Sequence, residues 1–459
     1  MTSSALPDEL VTWVGFQIGA TIESVQRVVA GGRRLGYVIT SGGATPQQHY
    51  LAVEPDDATA GDRPSGLRKE AEVFRRLAAG GVPVPVVVAV HPTVDAMLMN
   101  LVPGTAAYSQ LTDPVERELV ARDFIRSLAA AHRVDPRVDP VPGLDPTGST
   151  RDHLLAFIDG WEAEYRGGRH GADVLMEHAL VWLRTNAPAP VRPLAFVQGD
   201  TGPGNFMFDD GKVTAIVDWE LAHLGDPFED LGWLSMRAAQ DPFTDLAARF
   251  EDYAADSGLE LDLPAIRYYR VLAEWTIAMI GHLKSRDDLG DAERGNAFVF
   301  EQLHRRLLVE ALSEADGTPL APSPVLHPAD TPQTWMYDMA LDQLRVSVLD
   351  HLSDPLAARR AKGVARTVKL LREIDRAGRE AEALEREALS VLLGRPVDDI
   401  SRARLLAARQ VGVGNLDPAA VRVYVWSRVS LDNQLHGPAM GRLRDRHLDP
   451  LPDPAGALR

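Results

Sequence analysis

The stretch Leu194–Glu220, LAFVQGDTGPGNFMFDDGKVTAIVDWE, with its continuation LAHLGDPFEDLGW to Trp233, decides how the rest of the chain is read. An apolar run ends in Gln198-Gly199-Asp200, a Thr-Gly-Pro-Gly loop leads to Asn205, and two β-like runs meet at Asp210-Gly211. That dipeptide favours a tight hairpin, because both residues tolerate positive φ. The last run, KVTAIVD, closes on Asp218. Asp200 and Asn205 stand five positions apart, the separation of Asp and Asn in the catalytic loop of kinases. Phosphoryl transfer needs a group that orients the attacking hydroxyl and accepts its proton, oxygen ligands for magnesium, and positive charge around the phosphates. Asp200 can serve as the first. Asn205 and Asp218 can serve as the second, since a hard cation takes carboxylate and amide oxygens. Each of these residues alone is an ordinary turn former. The ordered set of QGD, Asn205, an apolar strand ending in DWE, and GDP-x-x-DL over Gly225–Leu231 is far more specific.

Working outward, the chain before this island divides into two patterns. From about Ser24 to Val102 short β-like runs alternate with turns: VQRVVA, GYVIT, HYLAVEP, VPVVVAV and AMLMNLV. One helical segment, Leu67–Gly80, interrupts them. From Asp113 onward the pattern is helical, with Asp113 placed to cap a helix whose first residue is Pro114. Helices resume after the island and run to about Ala315. The segment Asp316–Pro332 then carries five prolines, at 319, 322, 324, 328 and 332, where no helix can continue, and reads as a linker. Beyond it, Gln333–Leu352 and Leu356–Leu393 are rich in Ala, Leu, Arg and Glu at helical spacing. The expected division is a nucleotide-clamping lobe over 1–102, a helical catalytic lobe over 103–315, a linker over 316–332 and a helical domain over 333–459. The expected fold class is α+β, with a small antiparallel sheet, a mainly helical lobe and a C-terminal all-α domain.

Composition narrows the partners. At 459 residues the chain is long enough for two or three domains, and its net charge of −17 argues against a general grip on nucleic acid, which needs clustered Lys and Arg. With no cysteine, thiolate metal sites, disulfides and cysteine nucleophiles are excluded. The N-terminal MTSSALPDELVTW does not read as a signal peptide, and the most apolar run, Val82–Val90, is far shorter than a membrane span and holds two prolines. A cytoplasmic location, with neither membrane nor nucleic acid as partner, is expected. Arg359, Arg360, Lys362, Arg366, Lys369, Arg372, Arg376 and Arg379 lie together on the C-terminal helical segment, where a solvated face is the ordinary reading.

Residues Val197–Leu231 resemble the Brenner-type phosphotransferase motif of the aminoglycoside phosphotransferase and choline kinase-like superfamily, and the resemblance extends roughly from Ser24 to Ala315. The segment from Phe196 to Trp233 is most similar to the branch that holds kinases of hydroxylated acyl-CoAs and the kinase-like domains fused to acyl-CoA dehydrogenases. The C-terminal helical part resembles the small helical partner protein of 4-hydroxyacyl-CoA kinases. The resemblance implies a bilobal protein-kinase-like fold that uses ATP and Mg2+. It makes Asp200 the catalytic base and Asn205 and Asp218 the magnesium ligands. Gln198, Glu220, Asp226 and Asp230 become supporting residues around them.

The same resemblance implies a sheet-rich lobe that clamps ATP through a glycine turn, a basic residue on the third strand and a helix carboxylate paired with it. Gly31 and Gly32, followed by Arg33 and Arg34, can form the turn. Glu70 stands where the helix carboxylate belongs, and Met99, Asn100 and Leu101 where a hinge strand would face adenine. Two departures stand out. The third strand, YLAVEP, has Ala52 where Lys or Arg is expected, leaving Arg33, Arg34 or Lys69 to supply the charge, and Gln198 replaces the usual His before Gly-Asp. The acceptor implied is a hydroxyl on a small molecule, foremost a 4-hydroxyacyl-CoA or related hydroxy acid. An aminoglycoside or macrolide remains open as the acceptor, as does a pseudokinase scaffold without turnover.

Overall fold

The computed structural model describes residues 6–28, 34–43, 45–54, 66–168, 171–189, 192–284 and 294–452. Gly31, Gly32 and Arg33 lie outside the described residues. The chain packs as two units, one of residues 1–153 with 190–262, the other of residues 154–189 with 263–459.

In the first unit, β1 (Ile22–Val28), β2 (Leu35–Ser41), β3 (Gln48–Val53), β4 (Val87–Val90) and β5 (Ala96–Asn100) form one sheet in the order β1-β2-β3-β5-β4. All of its pairings are antiparallel. Alternation along the strands sorts the two faces. Tyr37 and Ile39 of β2, Leu51 and Val53 of β3, and Ala96 and Leu98 of β5 pack with Leu10 and Val14 of the helix Asp8–Ile18. The opposite face carries the row Gly36, Ala52 and Met97, which are register partners across β2, β3 and β5. The helix Gly66–Ala79 buries Leu67, Glu70, Ala71, Val73, Phe74 and Leu77, the helical spacing already visible in the sequence.

The helix Pro114–His132 starts as its sequence dictates, with Asp113 accepting the N–H of Val115 and Pro114 in the first turn. Its Phe124 stacks on Phe206, with ring centroids 4.3 Å apart. Phe206 opens β7 (Phe206–Asp209), which follows β6 (Ala195–Val197) and pairs antiparallel with β8 (Lys212–Ile216). Asp210 and Gly211, with φ of 47° and 74°, make the turn between β7 and β8. The chain then forms β9 (His223–Gly225), which pairs with β6, and the helices Phe228–Gln240 and Leu246–Ser257.

The second unit is helical, with elements Val174–Asn186, Leu263–Lys284, Arg294–Ala315, Thr334–Gln343, Pro355–Leu393, Ile400–Gly412 and Pro418–Met440. The buried Glu385 ties three of these together. It accepts both Nε (2.6 Å) and Nη2 (2.5 Å) of Arg404, lies 3.1 Å from Nε of Arg428, and takes the hydroxyl of Tyr424 at 3.1 Å. The Pro-rich segment, read from the sequence as a linker, breaks the helices as its prolines require but does not run free. Trp426 donates to Ala321 O and Gln434 to Pro324 O, and Leu326 is buried against Ala377, Ala381, Leu431 and Leu435. Of the basic residues on the long helix, Arg366 donates to Asn296, while Arg372 and Arg376 pair with Asp338, Glu373 and Asp330. Among the described residues no helix is long and apolar enough to cross a membrane.

One buried histidine gives this unit a pH dependence. Burial, followed by the nearby Arg422, pushes the His178 imidazole down to about 4. Its Nε2 finds no acceptor among the described residues. Between pH 6.5 and 4 the unfolded chain takes up this proton and the folded chain does not, so stability falls as pH drops through that window, by ~1.4 kcal/mol per unit. At pH 5 the loss from this group should reach ~2 kcal/mol. Denaturant titrations at pH 7.5 and pH 5 should show His178→Gln losing that much less than the wild type; equal losses would remove His178 as the cause.

Candidate active site

The site is built where β6, the β7–β8 hairpin and the start of the helix Phe228–Gln240 meet in the first unit. β6 delivers the chain to Gln198 and Gly199, and Gly199 turns it with φ 79°. A Cβ at Gly199 would stand 3.0 Å from Leu221 O, so the turn excludes a side chain. The loop that follows folds back on itself. Asn205 Nδ2 donates to both the main-chain O and the carboxylate Oδ2 of Asp200, each at 2.7 Å. The Asn205 carbonyl accepts the N–H of Val217 at 2.9 Å, which brings Asn205 against the residue before Asp218. Gln198 completes the stitch, since its Nε2 donates to Val217 O (2.8 Å) and Asp218 O (3.0 Å). Asp218 itself adopts φ 60°, a left-handed backbone rarely accepted by a side chain.

Beneath the loop lies Asp230, fully buried. It accepts the N–H groups of Gln198 (2.8 Å) and Gly199 (3.0 Å), the hydroxyl of Thr201 (2.6 Å) and Nε2–H of His132 (3.0 Å). Asp226 accepts Nε–H of Arg192 on both oxygens at 2.7 Å and the N–H of Phe228, the first residue of the next helix, at 2.9 Å. The Arg192 guanidinium also lies over the Phe228 ring, 4.6 Å from its centroid. His223 stands 3.1 Å from Glu229 rather than facing the loop.

Arg237 was not anticipated. Its Nη1 lies 3.4 Å from each oxygen of Asp200, and its Nη2 donates to Pro203 O at 2.7 Å. It stands seven positions after Asp230, two helical turns, so a helix that puts Asp230 under the loop brings Arg237 to it as well. Gly202, with φ 149°, makes room: a Cβ there would sit 2.6 Å from Arg237 Cβ. His132, Thr201 and Arg192 were also missed, because nothing in their local sequence separates them from ordinary helix and loop residues.

On the sheet side, Glu70 is buried and joins two elements. Its Oε2 pairs with Arg34 Nη1 at 2.7 Å, and its Oε1 accepts the N–H of Trp219 at 3.0 Å. Arg34 Nε is 3.5 Å from Glu220, whereas Lys69 Nζ donates to Ala222 O at 2.8 Å. In the expected hinge, Met99 is paired with Tyr50 and Val87. The N–H of Asn100 goes to Val86 O (3.0 Å) and that of Leu101 to Gln48 O (3.3 Å), so a base seated there would not receive these two donors unless the sheet gave them up.

The electrostatics favour a cation. Glu54, Glu70, Asp200, Asp218 and Glu220 surround two guanidinium groups, Arg34 and Arg237. Burial raises the Asp218 carboxyl above its usual range, against the pull of Arg34 and Arg237. Partial burial, then the carboxylates of Asp218, Glu70 and Asp200, push Glu220 up to about 7 against the pull of Arg34. Among the described residues no donor is hydrogen-bonded to the Asp218 carboxylate, and Asn205 Oδ1 receives none while both Nδ2 hydrogens go to Asp200. Among the described residues no three His, Cys, Asp or Glu side chains gather as a metal-holding group. A carboxylate with one amide oxygen leaves further positions to water and phosphate, which suits magnesium.

Comparisons with known proteins bear on this geometry. Residues 38–275 match the model of the APH group, described as the phosphotransferase enzyme family. The chain is 26% identical over 209 residues, 42% of its length, to acyl-CoA dehydrogenase family member 10 of Mus musculus. It is 30% identical over 132 residues, 27% of its length, to the Arabidopsis thaliana protein called probable acyl-CoA dehydrogenase IBR3. These matches cover only 19% and 16% of the two relatives, so the chain spans less than a fifth of their length. A Ralstonia eutropha crystal structure, provisionally named an aminoglycoside phosphotransferase, superposes with a TM-score of 0.54 at 21% identity, over 68% of this chain and 98% of the other. That likeness is one of fold: an antiparallel sheet lobe with helices, as in the kinase-like phosphotransferases.

Proposed function

The chain belongs to the phosphotransferase enzyme family, and on that premise we propose that it is an ATP- and magnesium-dependent kinase of a small-molecule hydroxyl, foremost that of a 4-hydroxyacyl-CoA or related hydroxy acid. The observation that carries the reaction is the Asp200–Asn205 loop closed by a two-pronged amide, stitched through Val217 and Gln198 to the left-handed Asp218. In this reading Asp200 orients the acceptor hydroxyl and takes its proton, while Arg237 and Asn205 fix its carboxylate. Asn205 Oδ1 and the Asp218 carboxylate would hold magnesium. The ion, when bound, would offset the charge of the phosphates.

The acceptor class draws its support from the names of the curated relatives, which pair similar segments with acyl-CoA dehydrogenases. The basic helix adds none, because Arg366, Arg372 and Arg376 are engaged within their own unit. The full chain, given Mg-ATP and a panel of 4-hydroxyacyl-CoAs, aminoglycosides and macrolides, should form ADP in step with a phosphorylated hydroxyacyl-CoA. Turnover confined to the antibiotics would overturn the acceptor class and leave the phosphotransferase reading standing.

Ala52 and Gln198 favour one rival, a protein that binds nucleotide without turnover. Mg-ATP at about a hundred times its dissociation constant would stabilise either protein by ~2.7 kcal/mol. Such a shift with no turnover on any acceptor would select the rival.

A further inference from the structure

We propose that Arg34, at the entrance to β2, is the cation that faces the nucleotide phosphates, in place of the third-strand residue at which Ala52 stands. The assignment rests on the phosphotransferase reading above. Ala52 is buried, with 5% of its surface exposed, and presents only a methyl group to its face of the sheet. Its register partner on β2 is Gly36, and Arg34 lies two residues before Gly36. Strand alternation therefore sends the Arg34 side chain to the face where a basic residue at position 52 would have projected.

At position 36 a side chain would have to displace the Tyr50 ring. A Cβ on Gly36 would stand 2.4 Å from the Tyr50 hydroxyl and 3.1 Å from Val28 Cγ2, whereas Arg34, just before β2, already carries a long side chain. Arg34 makes the contact that a third-strand cation would make. Its Nη1 is 2.7 Å from Glu70 Oε2, with the two side chains 13% and 3% exposed. Glu70 in turn receives the N–H of Trp219, the residue after Asp218, so one ion pair and one hydrogen bond connect the guanidinium to the proposed magnesium ligand.

Arg34 also keeps donor capacity beyond that pair. Its Nε is buried without a hydrogen-bond acceptor among the described residues, although Glu220 stands 3.5 Å away. A planar guanidinium offers five N–H groups in a fork suited to phosphate oxygens. Pairing with Glu70 uses one edge and leaves other donors for an anion. Lys69, the alternative cation, is tied to Ala222 O instead.

The test moves the charge. Four full-length proteins are compared: wild type, Arg34→Met, Ala52→Lys and the double variant Arg34→Met/Ala52→Lys. The readouts are Mg-ATP affinity by calorimetry and the KM for ATP. Arg34→Met should weaken Mg-ATP binding at least tenfold, and the double variant should recover much of that loss, because a lysine at 52 returns a cation to Glu70. A merely structural role would lower the melting temperature of Arg34→Met without moving its Mg-ATP affinity and would give no recovery; either result overturns the assignment. If Arg34→Met fails to fold, the double variant decides alone: affinity within about threefold of wild type supports the charge transfer, and tenfold weaker binding refutes it. A wild type that binds no Mg-ATP overturns the phosphotransferase reading together with this one. A wild type that binds it, beside an Arg34→Met that binds it equally well, removes only Arg34.

Discussion

Asp200→Asn is expected to lower kcat by ~10²- to 10⁴-fold while leaving Mg-ATP affinity within a few-fold of wild type. The asparagine keeps an oxygen where Asn205 Nδ2 now donates at 2.7 Å, so the loop retains its closure. What it loses is the negative charge between Asn205 and Arg237, and with it the capacity to take a proton from the acceptor hydroxyl. Asp200→Ala should be at least as slow, and looser, because Asn205 and Arg237 would both lose the carboxylate they hold. Rapid-quench measurement of a single turnover separates the chemical step from product release. An Asp200→Asn protein that transfers phosphate within threefold of the wild-type rate would remove Asp200 as proton acceptor. The same measurement on Asp218→Asn should show a different signature, half-maximal rate reached only at a higher magnesium concentration, because that carboxylate is proposed to hold the ion rather than the acceptor.

Much of the fold was legible because its elements carry strong local signals. Each of the five strand candidates before Val102 overlaps a strand, and the helix Gly66–Ala79, the cap at Asp113 and the turn at Asp210-Gly211 stand where the sequence put them. These depend on alternation, capping chemistry and tolerance of positive φ, all of which act over a few residues. The partners of the site depend on contacts across the chain, which no short window contains. His132 reaches Asp230 across 98 positions, Arg192 reaches Asp226 across 34 and Arg34 reaches Glu70 across 36. Ala52 shows the limit most plainly, since a single strand read alone reports a missing charge. Pairing β2 with β3 reveals a guanidinium that the neighbouring strand delivers to the same face. The Pro-rich segment was read correctly as a helix breaker and incompletely as a spacer, because Leu326 finds its apolar neighbours on two helices that lie farther along the chain.

Asp230→Ala is expected to destabilise the protein by ~3–5 kcal/mol and to stop turnover even where the variant remains folded. Asp230 satisfies four buried donors at once, the N–H groups of Gln198 and Gly199, the Thr201 hydroxyl and His132 Nε2–H. Leaving even two of them without an acceptor costs ~1–3 kcal/mol each. His132 is fixed on its other side by the Tyr253 hydroxyl, 2.6 Å from Nδ1, so its ring cannot turn to find a new acceptor without breaking that contact. Burial alone would raise the Asp230 carboxyl, but the hydrogen bonds from His132, Thr201 and Gln198 outweigh it and hold the group below its usual range. A folded-state pKa lower than the unfolded one means the contribution is complete above the unfolded value of ~3.9 and is lost as pH falls through the folded value. Acid titration of the wild type should therefore show a larger loss of stability below pH ~4 than Asp230→Asn does, because an amide does not titrate there while the other depressed carboxyls, such as Asp173 and Glu385, titrate in both. Both variants should turn over more slowly than their folded fraction predicts, since Gln198 and Gly199 set the approach of the chain to Asp200. An Asp230→Ala protein with an unchanged denaturant midpoint would mean that the loop is held by other contacts, and Asp230 would lose its place as the anchor of the site.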